Sequence, residues 1–397
     1  MSLDKHYDFI VFEFVHPLKH HKKDLFLIAK MLKYGGFNVA ILDVFDEYEE
    51  KQLDGIEVIR ILHTCKVPDD KYLDSPKGKI YNFLHFCKYI YQQYIYMHEV
   101  LCQIKDLADA FYCGSYSYLM PTNFFDMEKP TFFWGLRSYF FNSRRTHMAP
   151  YFDCMKFYLK WKFKRNANNK LFVSNEMIKK EHLILGINSE RMVIREERCI
   201  EKLPNSNLSF LDKQFNLLVI GKLRDSKRVV ETINAFKKAN LNKSLLTLMG
   251  KSMLDYEHEI VEAIGDANNI IRKNQFLNES DFNTSYMKSH FVVFGDKKET
   301  YTITNGTFLE ALINMRPVIA PNYDPYKYYI EKYHVGILYD PNIKGALSEA
   351  FCKAKEVGMQ SFLPAIHSFL QTLRFEIVAD EFSKSIRNTI SKDNKYE

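Results

Sequence analysis

Short apolar runs alternate along the chain with longer stretches in which apolar residues recur at helical spacing. Continuous apolar runs are typical of strands that are buried on both faces of a parallel sheet. The first half of the chain contains such predicted strands at 7–15, 37–44, 109–113, 130–134 and 170–173. Helical spacing at 24–32 and over the aromatic stretch 80–106 completes the β-α-β pattern of a doubly wound sheet.

The same alternation restarts after an irregular stretch that contains Pro204 and several small polar residues. We place an interdomain linker there, at 201–214. Further strands are predicted at 215–220, 244–249, 270–271, 290–294, 317–320 and 335–338, with a helix at 227–239. The pattern predicts an α/β protein with two Rossmann-like domains, 1–200 and 215–361, that face a central cleft. The helical residues 362–397 are expected to pack across the domain junction.

Composition narrows the class of protein. The chain is 46% hydrophobic and carries 55 basic and 49 acidic side chains, a net charge of +6, which is too mild for a dedicated nucleic-acid binder. Its seven scattered cysteines form no CxxC and no metal-binding spacing, as expected for reduced thiols in a cytoplasm. We find no signal-peptide pattern and no apolar run near the ~20 residues of a membrane-spanning helix. We therefore expect a cytoplasmic protein without a metal.

The turn after the predicted strand 215–220 is the first candidate site. Gly221 permits a tight turn, and Lys222 and Lys227 follow it at the carboxyl end of the sheet, where ligands bind in open α/β folds. Two cations there can neutralise a diphosphate and stabilise it as a leaving group. The spacing alone fits a solvated turn with surface lysines equally well.

A second candidate site lies at the start of the predicted helix 308–315. Asn305, Gly306 and Thr307 precede this helix, and the free N–H groups and positive dipole of a helix start attract anions. Glycine at 306 leaves room for a phosphate, and Glu310 can accept hydrogen bonds from a ribose diol. The structural alternative is an N-cap at Asn305 or Thr307, with Glu310 as part of a capping arrangement.

Three segments in this order resemble the retaining GT-B glycosyltransferases of family 4, the glycosyl transferases group 1. They are LFVSNEMIKKEHLILGINSERMVI (171–194), VIGKLRDSKRVVETINAFKKA (219–239) and ITNGTFLEALINMRPVIAP (303–321). The second is similar to the family's GRL…KG…A segment, and the third to its EGFGLxxLEAMAxGxPVIA segment. The resemblance is clearest over residues 171–340. It implies a GT-B fold, a nucleotide-diphosphate sugar as donor, and transfer with retention, commonly without a metal.

The resemblance also implies roles for individual residues. Lys222 stands where the family has an arginine and Lys227 where it has a lysine, and both positions grip the donor pyrophosphate. Glu310 matches the second glutamate of the family's E-x7-E motif, which binds the nucleotide ribose. The backbone of Gly306 and Thr307 matches the loop that holds the phosphates and orients the sugar.

The chain departs from the family pattern at two places. The first glutamate of E-x7-E falls at Thr302, so that Thr302 or Asn305 would offer shorter hydrogen bonds to a different sugar. The strand 130–134 lacks the active-site histidine that often ends it in the family. His16, in the first loop, and Arg137, just after that strand, are our candidate groove residues. An exposed polar loop is the alternative for His16.

The stretch 155–170 contains no acidic residue. Its lysines recur every four residues on one predicted helix face and its aromatic residues lie on another: Lys156, Lys160 and Lys164 against Phe157, Tyr158 and Trp161. A basic amphipathic helix can rest on anionic lipid, which would suit a lipid-linked acceptor. The alternative is an ordinary surface helix whose aromatic residues lie in the domain core.

The leading hypothesis is a glycosyltransferase of the hexosyltransferase type. It would transfer a sugar from a UDP- or GDP-sugar to a glycan or lipid-linked glycan in the assembly of cell-surface polysaccharide, capsule or O-antigen, on the inner face of the membrane. The pathway rests on family analogy alone. One alternative is a sugar-nucleotide epimerase on the same fold, although we see no convincing acid/base set. The other is a degenerate, non-catalytic nucleotide-sugar-binding subunit, which Thr302 favours and the set of Lys222, Lys227 and Glu310 opposes.

Overall fold

A computed structural model describes most of the chain, namely residues 5–12, 19–44, 52–60, 79–114, 129–135, 149–194, 199–204, 214–252, 254–297 and 306–393. The chain divides into two units. Unit 1 comprises Met1–Cys199 together with Phe375–Glu397, and unit 2 comprises Ile200–Arg374. Unit 2 is therefore one continuous segment inserted into unit 1. Its two ends lie side by side, because the Ile200 N–H donates to the Leu373 carbonyl at 2.8 Å.

Unit 1 contains an eight-stranded sheet with the order β3-β4-β2-β1-β5-β6-β7-β8. Its strands are β1 (Tyr7–Phe12), β2 (Val39–Leu42), β3 (Gln52–Leu53), β4 (Ile56–Ile59), β5 (Ala108–Cys113), β6 (Thr131–Trp134), β7 (Asn169–Val173) and β8 (Met192–Ile194). All neighbours are parallel except β3 and β4. The described helices between these strands are α1 (Lys19–Tyr34), α2 (Lys79–Ile104), α3 (Ala149–Arg165) and α4 (Glu176–Ile184).

Unit 2 contains a six-stranded parallel sheet with the order β11-β10-β9-β12-β13-β14. Its strands are β9 (Phe215–Ile220), β10 (Ser244–Met249), β11 (Ile270–Lys273), β12 (Phe291–Val293), β13 (Val318–Pro321) and β14 (Gly336–Tyr339). Its helices are α5 (Val229–Ala239), α6 (Leu254–Ile264), α7 (Glu279–Met287), α8 (Gly306–Ile313), α9 (Tyr326–Tyr333), α10 (Ala346–Val357) and α11 (Leu363–Thr372). Apolar residues of α5, α6 and α10 cover one face of this sheet, and those of α7, α8, α9 and α11 the other.

The last helix, α12 (Phe375–Asp393), returns to unit 1. Val378, Phe382 and Ile386 recur at helical spacing and are buried with residues of α1 and the adjoining sheet face. The Phe382 ring lies 4.9 Å from that of Phe172 in β7. The Ser383 hydroxyl donates to the Met31 carbonyl at 3.2 Å. Residues from the two ends of the chain thus share one core.

The predicted strands that the structure describes are confirmed, most of them to within a few residues at each end. The helix predicted at 227–239 begins two residues later, at Val229, because Asp225–Lys227 form a 3-10 turn and Arg228 adopts a left-handed conformation with φ +47°. This difference matters for the site, since it turns the Lys227 side chain back toward the end of β9.

The prediction for 155–170 is wrong in one respect, because it placed the aromatic residues on a different helix face from the lysines. Phe157 is not packed in the core but is 76% exposed, on the helix face that also carries the exposed Lys160 and Lys164. Residues three and seven positions apart share a helix face, which explains this placement. Leu159 and Phe163 form the buried face of α3 instead. None of the described helices combines the length and apolar character that crossing a bilayer requires.

Candidate functional site

The strand order of unit 2 places β9 beside β12, with β10 and β11 on one side and β13 and β14 on the other. The chain leaves β9 for a helix on one sheet face and leaves β12 for a helix on the opposite face. Such a reversal opens a crevice at the carboxyl ends of the two central strands, where open α/β sheets bind ligands. The residues that follow β9 and β12 are therefore the first candidates for ligand-binding residues.

Two glycines allow the ends of β9 and β10 to approach closely. Gly221 follows β9 with φ +101°, and its N–H donates to the Met249 carbonyl at 3.0 Å. A Cβ on Gly250, which has φ +127°, would lie only 1.9 Å from the Gly221 carbonyl oxygen. Both positions favour glycine because other residues rarely adopt these angles, and at 250 no side chain fits. The Gly221 turn thus packs directly against the end of β10 and is held there by a backbone hydrogen bond.

Lys227 folds back over this turn. Its side chain is buried, and Nζ donates to the Ile220 carbonyl at 3.0 Å. A Cβ on Gly221 would lie 3.1 Å from Lys227 Nζ and 3.7 Å from Thr307 Oγ1. The absent side chain at 221 therefore leaves a small space between a cation and the first turn of α8. This arrangement suits an anion.

The charge of Lys227 is set by its surroundings. Burial lowers the pKa of the Lys227 ammonium, because desolvation disfavours the charged form. The Asp296 carboxylate acts in the opposite direction, and the nearby Arg224 lowers the pKa further. Asp296 follows β12 and is fully buried, and the Tyr326 hydroxyl donates to its Oδ2. A buried lysine and a buried aspartate thus lie on the segments that follow the two central strands.

Helix α8 begins at Gly306 and presents its first turn to the same space. Thr307 accepts a hydrogen bond from the Tyr286 hydroxyl through its carbonyl oxygen at 3.3 Å, which holds the helix start in place. Glu310, one turn further, is half-buried. Burial and, to a lesser degree, the Glu310 carboxylate raise the pKa of Tyr286, so the phenol remains a hydrogen-bond donor.

A side-chain network braces the loop after β10. Arg272 Nη2 lies 2.6 Å from Glu257 Oε2, and Arg272 Nη1 donates to the Gly250 carbonyl at 2.9 Å. The Ser252 hydroxyl donates to the same carboxylate. Hydrogen bonds between charged partners are stronger than neutral ones. The network therefore keeps Gly250, and through it the Gly221 turn, in one position.

The region that holds these residues matches a known protein family. Residues 202–358 match the family model described as "Glycosyl transferases group 1", and this range includes β9, the Gly221 turn, Lys227 and helix α8. Residues 202–358 are therefore similar to a glycosyl transferases group 1 domain. No curated protein sequence matches the chain.

Solved structures that resemble the chain cover nearly all of it. Sucrose-phosphate synthase from Thermosynechococcus elongatus aligns with a TM-score of 0.68 at 13% identity, over 97% of this chain and 100% of that one. HepE from Anabaena, in complex with UDP, gives 0.64 at 13% identity over 97% and 100%. WaaG, a glycosyltransferase involved in lipopolysaccharide biosynthesis, gives 0.61 at 16% identity over 96% and 98%. These similarities confirm the predicted α/β fold class, GT-B.

Within residues 202–358, the structure brings Gly221, Lys227 and Thr307 together. Gly306 is the first residue of α8, and Lys222 lies exposed on the same turn as Gly221. Glu310 lies one helical turn beyond Thr307. Four further predicted residues lie outside the described residues: His16, Arg137, Thr302 and Asn305.

Sequence reasoning did not single out Asp296 or Tyr326. A signal for Asp296 was present, because it is an acidic residue directly after a predicted strand, the position that candidate ligand-binding residues occupy in open sheets. Tyr326 gave no signal, since it is one of several tyrosines in α9 and only the packing of that helix directs its hydroxyl to Asp296.

Proposed function

We propose that the protein transfers a sugar from a nucleoside-diphosphate sugar, UDP- or GDP-linked, to a hydroxyl group of a glycan or lipid-linked glycan, with retention. The observation that carries this proposal is the position of the Lys227 ammonium beside the open glycine position 221 and Thr307. A diphosphate in that space would meet a cation on one side and the N–H groups of a helix start on the other.

This geometry supports departure of a nucleoside diphosphate. Negative charge accumulates on the leaving diphosphate as the bond to the sugar breaks, and fixed positive groups stabilise that charge most effectively where water is excluded. Lys227 is already buried and bonded to the Ile220 carbonyl, so it needs no reorganisation. We assign Lys222 to the outer phosphate and Glu310 to the ribose. We also propose that no metal is needed, which transfer in the presence of a chelator would test.

The acceptor and pathway are proposed from similarity. HepE was solved with UDP and WaaG takes part in lipopolysaccharide biosynthesis, and both share the fold of this chain. We therefore propose a cytoplasmic enzyme of cell-surface polysaccharide assembly.

A panel of nucleotides tests the donor site. Among UDP, GDP, CDP and ADP, we expect one to raise the melting temperature clearly. A ligand at a hundred times its Kd stabilises by about 2.7 kcal/mol, which corresponds to roughly 5–10 °C for a unit of this size. The matched control is the nucleoside without phosphates, which should give a much smaller shift because the proposed contacts are to the diphosphate.

The panel also separates the alternatives. No shift with any diphosphate would contradict the donor site, and a shift without transfer to any glycan acceptor would favour a non-catalytic binding subunit. Conversion of the donor sugar into an epimer in the absence of an acceptor would favour an epimerase.

We further propose that unit 1 contacts anionic lipid through a surface that we call the Phe157–Ile184 patch, formed by Phe157, Lys160, Lys164 and Ile184. Phe157 and Ile184 are 76% and 84% exposed. The Lys160 stem lies close to Gly186, two residues after Ile184, where a Cβ would be 2.8 Å from Lys160 Cε. A surface on which exposed apolar side chains lie among lysines suits contact with a membrane. The apolar side chains would enter the interfacial region, and the lysines would bind lipid phosphates.

Vesicle binding tests the patch. The double variant Phe157→Ser/Ile184→Ser is expected to lose most of its co-flotation with vesicles that contain phosphatidylglycerol, because it removes the two apolar anchors. Wild-type protein should not float with phosphatidylcholine alone. Phe276→Ser is the matched control, since Phe276 is equally exposed, at 84%, but lies in unit 2. Equal flotation of the double variant and the wild type would refute the patch.

A further inference from the structure

Asp296 lies in a segment that is fixed against the Lys227 turn on both sides. Before it, the backbone of Gly295 packs so closely that a Cβ there would lie 2.4 Å from the Lys227 carbonyl oxygen. After it, the Lys297 N–H donates to the Ser226 carbonyl at 2.8 Å. Lys297 Nζ also lies 2.5 Å from Asp225 Oδ2. The end of β12 and the turn after β9 therefore form one rigid assembly, and Asp296 has little freedom to move.

The carboxylate of Asp296 is held from the other side by Tyr326. Tyr326 is fully buried, and its hydroxyl donates to Asp296 Oδ2. Its ring packs against those of Phe294 and Phe308, each with centroids 5.4 Å apart. These ring contacts hold the Tyr326 phenol in its orientation. The hydrogen bond from the phenol in turn holds the Asp296 carboxylate in position.

A buried carboxylate is costly unless an opposite charge offsets the loss of water. Asp296 raises the pKa of the buried Lys227 ammonium, and this attraction acts in a region of low dielectric. The other charged residues around the turn lie nearer the surface. Asp225 pairs with Lys297, and Glu231 pairs with Arg228. The exposed Arg224 lowers the pKa of Lys227.

We propose that Asp296 is a positioning residue that holds the Lys227 ammonium charged and in place beside Gly221, and that Tyr326 in turn orients Asp296. This inference rests on the proposed function, because it concerns the cation that would neutralise the donor diphosphate. Asp296 does not touch the donor. It acts through Lys227, which burial alone would drive toward the neutral amine, and a neutral amine stabilises a diphosphate poorly.

The pH dependence of UDP or GDP binding, whichever the panel selects, provides the first test. Asp296→Asn keeps the shape of the side chain but removes its charge, so Lys227 should lose its proton at a lower pH. We expect affinity to be lost at a lower pH than in the wild type, with a difference of up to about tenfold, and to recover at more acidic pH, as a pKa lowered by about one unit would produce. Tyr326→Phe should give the same change to a smaller extent.

Glu231→Gln is the matched control, because it also replaces a carboxylate near the turn by an amide. The Glu231 carboxylate pairs with Arg228 and is not among the groups that shift the pKa of Lys227. The pH profile of this variant should follow that of the wild type. A loss of affinity in Asp296→Asn that is equal at all pH values would indicate general structural damage and would overturn the inference.

A second test does not depend on nucleotide. If Asp296 acts on Lys227, Asp296→Asn should lower the melting temperature in the wild-type background but much less in a Lys227→Met background, where no buried cation is left without its partner. Equal losses in both backgrounds would overturn the inference. Failure of the wild type to bind any nucleoside diphosphate would instead refute the proposed function, so the two outcomes are distinguishable.

Discussion

Replacing Lys227 by methionine is expected to lower the rate of sugar transfer about 10²–10³-fold, the range seen when one preorganised donor to a developing anion is removed. Methionine has a similar length and fills the same space, but it cannot neutralise the diphosphate beside Gly221. The measurement is kcat/KM for the nucleotide sugar, together with the affinity for the free nucleoside diphosphate, which should fall as well.

The fold should survive this substitution. Lys227→Met removes a cation that is costly to bury, but it also leaves the buried Asp296 carboxylate without that opposite charge, so we expect a lower melting temperature in a protein that still folds. Lys237→Met is the matched control, since Lys237 is an exposed lysine of α5 whose Nζ donates to the Ala263 carbonyl. Normal turnover in Lys227→Met would remove the central residue from the proposed site.

Replacing Lys162 by methionine is expected to stabilise the protein near pH 7 by about 2–4 kcal/mol, since a lysine pKa lowered this far reflects a large cost of charging the group. Lys162 lies fully buried in unit 1, with Nζ 4.0 Å from the centroid of the Phe133 ring. Desolvation, partly offset by Cys113, lowers the pKa of Lys162 to about 7. Methionine retains the apolar stem and removes the charge.

The same substitution should flatten the pH dependence of stability. Between the folded-state pKa of about 7 and the ordinary value of 10.5, the unfolded chain binds more protons than the folded one. The free energy of unfolding of the wild type should therefore rise with pH through this window, and the variant should lack that part of the rise. Thermal unfolding from neutral to alkaline pH measures it, with the exposed Lys180→Met as control. Equal slopes in wild type and Lys162→Met would contradict the prediction.

Much of the fold was predictable because parallel strands that are buried on both faces are continuous apolar runs. The predicted strands 215–220 and 244–249 agree with β9 and β10 residue for residue. The short β3 and β4 were missed, since a hairpin of two- and four-residue strands at a sheet edge has too few positions to show a pattern. The exposed Phe157 was misplaced because aromatic residues are usually buried.

The candidate site was predictable only in part. Gly221, Lys227 and Thr307 carry local signals, a glycine after a strand and polar residues at a helix start, although only the structure shows that all three adjoin one space. The packing of the Asp296 segment against the Lys227 turn depends on β12 lying next to β9. No local pattern specifies that neighbour, because the order of strands in a sheet follows from the packing of the whole unit.

The insertion of unit 2 within unit 1 imposes an order on biosynthesis. A ribosome releases residues 1–199 first, yet the helix that completes their core, α12, emerges only after all of unit 2 has been made. At about 5–20 residues per second, the face of α1 that receives Phe382 and Ile386 remains uncovered for roughly ten seconds or more. Unit 2, by contrast, emerges as one uninterrupted segment with adjoining ends. The nascent N-terminal half therefore exposes this apolar face until the synthesis of unit 2 is complete.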